Sequence, residues 1–198
     1  MKWNLLLVLS LWAMPARAAV VVYGFAGQLD APFGTLAAGT PFSGEFSYEQ
    51  TQTAIVEPPL PGGRYVSLNL SLMIGGSPPF STGSGTIYVL DNAPFDLLRV
   101  LSTTFTGSVG GLPLWSAGGV ELLLPKMDGS LWSGFALPGP GLTLADFDSS
   151  VRLALTTQGS GPVIGTLTSL AAVPEPSGAM LSAAGLMFLL RWRRMGRD

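Results

Sequence analysis

Carboxylates are the residues whose spacing offers chemistry in this chain. Asp91 and Asp96 flank a turn, and Asp146 and Asp148 stand two positions apart. In extended backbone, residues i and i+2 share a face, so Asp146 and Asp148 would project together. Such a pair suits Ca²⁺, which gathers about six to eight oxygens, often from Asp and loop carbonyls. Two carboxylates about 5 to 9.5 Å apart would also serve a glycoside hydrolase. The same acids serve equally well as turn caps facing water, and no EF-hand or nonapeptide calcium repeat accompanies them. Asp146 and Asp148 are therefore weak calcium candidates, no other cofactor is implied, and no catalytic residue is assigned.

Composition closes most other routes. The chain has 198 residues with no Cys and no His. Thiol nucleophiles, His bases, disulfides and Cys- or His-ligated metals are all excluded. Lys126 is the one lysine outside the extreme N-terminus, and it sits in an expected turn where a buried, activated amine is not favoured. The chain is not read as an enzyme. A secreted carboxylate-based glycoside hydrolase ranks third among its possible functions.

Aromatic rings are the second resource. Trp115, Trp132, Tyr65, Tyr88 and Phe80 fall in or near expected loops and strand ends. Flat rings stack on sugars or fill cores through the same apolar faces. Trp132, in the run Leu131-Trp132-Ser133-Gly134-Phe135, alternates in a way that would turn it outward, which makes it the candidate glycan contact. The Asn69-Leu70-Ser71 sequon lies mid-strand and is read as fortuitous.

The elements that must position these groups read as strands. Phe42, Gly44, Phe46 and Tyr48 alternate with Ser43, Glu45, Ser47 and Glu49. Val66, Leu68, Leu70, Leu72 and Ile74 alternate with Ser67, Asn69, Ser71 and Met73. Period two with one apolar face predicts half-buried strands. Further strands are expected at 20–29, 86–91, 97–105, 120–124, 131–136, 151–157 and 163–170. Gly and Pro clusters separate them, such as Pro61-Gly62-Gly63 and Gly159-Ser160-Gly161-Pro162. Lys126-Met127-Asp128-Gly129 would turn a hairpin between 120–124 and 131–136. Only Leu142 to Asp148 suggests a helical turn. About nine short strands without helices predict an all-β, antiparallel β-sandwich of jelly-roll or Greek-key type, with an immunoglobulin-like sandwich as competitor.

Both ends lie outside that body. Residues 1–18 combine Lys2, the apolar run Leu5 to Trp12, and a small-x-small site at Ala16-Arg17-Ala18. This is the pattern of a signal peptide cut by signal peptidase. At the other end, Val173-Pro174-Glu175-Pro176 breaks regular structure. Ser177 to Leu190 then carries no charge, and Arg191, Arg193, Arg194 and Arg197 follow. Fourteen helical residues would reach roughly 21 Å against a hydrocarbon core of about 30 Å, a short transmembrane helix over 177–190. The arginines would hold its far side in the cytoplasm as a stop signal.

This tail resembles the PEP-CTERM sorting signal of exported bacterial proteins, on the strength of Val173-Pro174-Glu175-Pro176, the apolar segment and the arginine cluster in that order. The resemblance implies recognition of the Pro-Glu-Pro motif by an exosortase, a membrane cysteine protease-like enzyme, after insertion of the helix in the inner membrane. It implies release or re-anchoring of the body at the surface, or in the matrix, of a Gram-negative bacterium that makes exopolysaccharide. The body is also loosely similar to domains often carried on such tails, through Tyr23-Gly24-Phe25-Ala26-Gly27, Phe42 to Tyr48, and Ile164 to Leu170.

The expected organisation is thus a signal peptide (1–18), an extracytoplasmic sandwich (19–172) and a sorting signal (173–198). Within the body four basic residues face ten acids. A net-negative surface repels phosphates, so nucleic acid is excluded as a partner. The expected function is a surface or matrix protein, structural or adhesive in extracellular polysaccharide, with a carbohydrate-binding module as the alternative.

Overall fold

The computed structural model describes residues 19–56, 62–77, 80–92, 94–104, 108–114, 119–157 and 161–174. The signal-peptide and transmembrane-helix expectations, including Ala16 and Ala18, lie outside these residues. Among the described residues no helix is long and apolar enough to cross a membrane.

The strands are β1 (Val20–Leu29), β2 (Pro41–Glu49), β3 (Gly62–Ile74), β4 (Phe80–Asn92), β5 (Phe95–Thr104), β6 (Ser108–Val109), β7 (Leu112–Pro113), β8 (Val120–Lys126), β9 (Arg152–Leu155) and β10 (Val163–Ala172). The all-β, antiparallel expectation holds, and the strong strands at 42–49 and 66–74 are β2 and β3. The sandwich, whether jelly-roll or immunoglobulin-like, does not hold. Eight strands close into one barrel in the order β1-β10-β9-β8-β5-β4-β3-β2, and β6–β7 forms a separate small hairpin. Each barrel strand pairs with its neighbours along the chain, and β1 pairs with β10 to complete the ring. Alternation could not separate the two architectures, because one inward face and one outward face serve both. Closure depends on the β1–β10 register, which joins residues more than a hundred positions apart.

Two matched pairs show how β1 and β2 curve tightly. Phe25 stands opposite Gly44, and Gly27 stands opposite Phe42. A Cβ on Gly44 would collide with the Phe25 ring and the Ser71 carbonyl, and one on Gly27 with the Phe42 ring and the Thr166 carbonyl. Each phenylalanine therefore lies over the glycine across from it, and the two rings meet at 6.5 Å. Such aromatic cover compensates the missing side chains while letting backbones approach. Irregularities at Ala26/Gly27, around Leu68 and at Ser84/Gly85 add further bend.

The interior is filled. Tyr23, Phe25, Phe42, Phe46, Leu70, Leu72, Val89, Leu98, Leu122 and Leu153 are all buried. Ser43, Glu45, Ser47, Asn69, Ser71, Thr166 and Thr168 look outward. This polarity is the reverse of a barrel whose outer surface meets lipid. The end at which β1 finishes is plugged by residues 30–40 and the β6–β7 hairpin. There Thr35 N–H donates to the Gly110 carbonyl at 2.8 Å. Gly34 (φ 60°) and Gly110 (φ 57°) pack backbone to backbone where neither could carry a side chain. The opposite end, where β1 starts and β10 finishes, is called the exit end.

The expected strand at 131–136 does not form, and neither does its hairpin with β8. The chain turns at Met127–Gly129 as expected but returns to the barrel only at β9. β8 is paired on one side by β5 and on the other by β9. No edge is left for a further strand. The helical turn is present as a single 3-10 turn, Leu144–Asp146.

Candidate functional site

Residues 127–151 form a long connection across the exit end, and its polar anchors trace its path. Leu131 and Trp132 N–H groups donate to one carboxylate oxygen of Asp96 on β5, at 2.8 and 3.0 Å. Tyr65 on β3 donates its hydroxyl to the Phe135 carbonyl. Tyr48 on β2 donates to the Pro138 carbonyl at 2.7 Å. Tyr23 on β1 donates to the Gly139 carbonyl and accepts from Leu142 N–H at 3.2 Å. The loop thus visits β5, β3, β2 and β1 in turn before rejoining the barrel. Asp148 ties its two ends together, since its carboxylate accepts from Met127 N–H and its own N–H reaches the Pro125 carbonyl at 3.0 Å.

Burial explains why these anchors are needed. A connection without secondary structure carries backbone groups that must find partners when they leave water. Leu137, Phe147 and Val151 are buried, and Leu131, Trp132, Leu142 and Leu144 pack on the same core. Desolvation pushes the Tyr23, Tyr48 and Tyr65 hydroxyls above the usual tyrosine value; Tyr23 also raises Tyr48, and Asp146 adds to the effect on Tyr23. Three of the four tyrosines in the chain hold this one loop. The signal was present in the sequence: Tyr23 and Tyr48 occupy inward strand positions, and an inward tyrosine needs a partner for its hydroxyl.

The residues singled out from sequence distribute unevenly. Asp146 accepts from the Thr143 N–H and hydroxyl at 2.7 and 2.9 Å, capping the 3-10 turn. Asp148 secures the loop ends and lies 3.9 Å from the Lys126 ammonium. Both carboxylates are thus engaged in local structure, and among the described residues no three acids gather as a metal site. Asp91 faces Asp96 across the β4–β5 hairpin. Asp96 is fully buried, which spacing did not reveal. Trp132 is half-buried rather than displayed on a strand face, with its ring 6.2 Å from that of Phe147. Tyr65 is buried, and Tyr88 is half-covered with the Arg99 guanidinium 5.6 Å above it. Arg99 in turn pairs with Glu121 on the neighbouring β8. Trp115 lies outside the described residues.

Val173 and Pro174, the start of the expected sorting motif, fall at the same end. Val173 N–H donates to the Val22 carbonyl at 2.8 Å, one step beyond β10. Its side chain lies over Gly24. Both Val173 and Pro174 are exposed. They line a cleft of about 460 Å³ with Ala19 to Val22, Gln50, Pro140 and Ala172. The first described residue also ends here, where Gln50 N–H reaches the Ala19 carbonyl at 3.0 Å. Glu175, Pro176, Arg191, Arg193, Arg194 and Arg197 lie outside the described residues. No protein-family model, curated protein or solved structure matches the chain.

Proposed function

We propose that this chain is an exported surface protein, presented as a compact acidic barrel and processed at a C-terminal sorting signal of the PEP-CTERM kind. In this reading a signal peptidase removes residues 1–18, an exosortase reads Val173-Pro174-Glu175-Pro176, and the segment 177–190 holds the intermediate in the inner membrane. The barrel then has a structural or adhesive role in extracellular polysaccharide, rather than a catalytic one.

One observation carries the reading. The last ladder bond of the barrel is made by Val173, and the next residue is the first proline of the motif. Every strand of the closed ring is complete by Ala172, so among the described residues closure needs nothing beyond Pro174. Proline also ends the pairing on its own, because it has no N–H to offer a ladder. The motif would thus meet an enzyme as extended chain, without unfolding the body.

The test is the true C-terminus of the mature protein in cells with and without the processing enzyme. Intact mass should show loss of the arginine cluster only when the enzyme is present. A chain ending at Ala172 should be exported but never held at the membrane. Identical masses in the two strains would overturn the processing step.

A further inference from the structure

Exposed apolar side chains are not spread evenly over the barrel. Among the described residues eight large hydrophobics stand open to solvent. Met73 and Leu112 belong to the plugged end. Val20, Ile55, Val56, Val66, Met127 and Val173 lie on the exit half. Met127 is 61% and Val56 58% exposed, and the other four lie between 40% and 43%. Val20 opens β1, Val173 follows β10, Met127 follows β8, and Ile55 bridges to Arg64 near the start of β3. The apolar side chains therefore ring the end from which the tail departs.

Tether length decides what that ring can meet. Three residues, Pro174 to Pro176, separate the last barrel bond from the uncharged segment. Fully extended, they span at most about 11 Å. The polar layer on each side of a bilayer is only about 5 to 7 Å deep. A body held this closely cannot stand clear of the membrane. The segment is also short, roughly 21 Å against a core of about 30 Å. Such a mismatch draws the flanking residues toward the hydrocarbon. A polar rim would resist that pull, whereas valine, isoleucine and methionine side chains gain by it.

We infer that this apolar rim seats against the lipid interface while the chain is anchored, so that the barrel rests end-on at the membrane with its plugged end outward. The inference rests on the anchored intermediate proposed above. The charges near the rim are mixed, Glu49, Asp128 and Asp148 standing beside Arg64, Lys126 and Arg152, so the apolar side chains rather than lipid charge drive the contact.

The absence of cysteine makes the test clean. The chain of residues 19–198, the anchored intermediate, carrying V20C, I55C or M127C at the rim, or M73C or L112C at the plugged end, is labelled with an environment-sensitive fluorophore. Each is reconstituted into phosphatidylcholine vesicles bearing a lipid-linked quencher. Rim labels should shift to the blue and be quenched several-fold more than plugged-end labels. All five positions are exposed, so the fold should tolerate them. A chain that stays with the vesicles while rim and plugged-end labels behave alike overturns the rim contact and leaves the anchor standing. A chain that does not stay with the vesicles overturns both. Rim labels already shifted before lipid is added would assign the rim to the tail's own apolar segment or to a second copy, and would also overturn it.

Discussion

Single residues at the β1–β2 seam bear the curvature of the barrel. Phe25 and Phe42 each cover a glycine on the opposite strand, so either ring does two jobs: it fills the core and it shields close-packed backbone. Phe25→Ala should cost about 3–5 kcal/mol, the usual range for a buried phenylalanine, measured by urea unfolding. Gly44→Ala adds a methyl where the Ser71 carbonyl and the Phe25 ring already sit, and should cost about 1–3 kcal/mol. Asp96 is a different case, because its value lies in the groups it satisfies. Asp96→Ala would strand the Leu131 and Trp132 N–H groups and should destabilise by about 1–3 kcal/mol for each donor left buried. Trp132 fluorescence should report local loosening before global unfolding.

At the scale of elements, the crossing loop is the part that alternation misread. The run Leu131 to Ala136 has the period of a strand, yet both sides of β8 were already paired. Its backbone is satisfied by Asp96 and by tyrosine hydroxyls instead. This dependence has a pH consequence. Burial raises the Tyr23, Tyr48 and Tyr65 hydroxyls in the folded state, whereas an unfolded tyrosine ionises at about pH 10. Protons are therefore held more tightly folded than unfolded, so the stability they contribute is complete below about pH 10 and falls as pH rises past it. Thermal melts across pH 8 to 11.5, a range chosen about that value, should show the decline. Tyr48→Phe should flatten it, at a cost of about 1–3 kcal/mol at neutral pH for the unpaired Pro138 carbonyl.

For the whole molecule, the decisive feature is that the ring closes before the tail starts. A chain comprising residues 19–174 should therefore fold alone and unfold in one cooperative transition, with a midpoint matching that of residues 19–198. Shortening it to end at Ala172 removes the Val173–Val22 bond and the cover over Gly24. That should lower stability by about 0.5–1.5 kcal/mol for the lost hydrogen bond, read by calorimetry. A larger fall would mean that the barrel leans on its exit more than one ladder bond implies. The body's excess of acids over basic residues keeps such particles dispersed through mutual repulsion.

The linear chain determined what is local. Period-two alternation named β2, β3 and, with small shifts of boundary, most other strands, because side chains alternate whatever a strand pairs with. Pro174 marks where the last strand's pairing stops, because a residue without an N–H cannot extend a ladder. Tertiary structure decided what depends on distant partners. Closure into a barrel required β1 to meet β10, and two separated Phe-x-Gly runs curve the wall only because their register sets each ring over the other's glycine. Asp96 and the three tyrosines became anchors because folding carried the loop over them. Spacing along a chain carries no such information, since burial is a property of neighbours that the fold alone supplies.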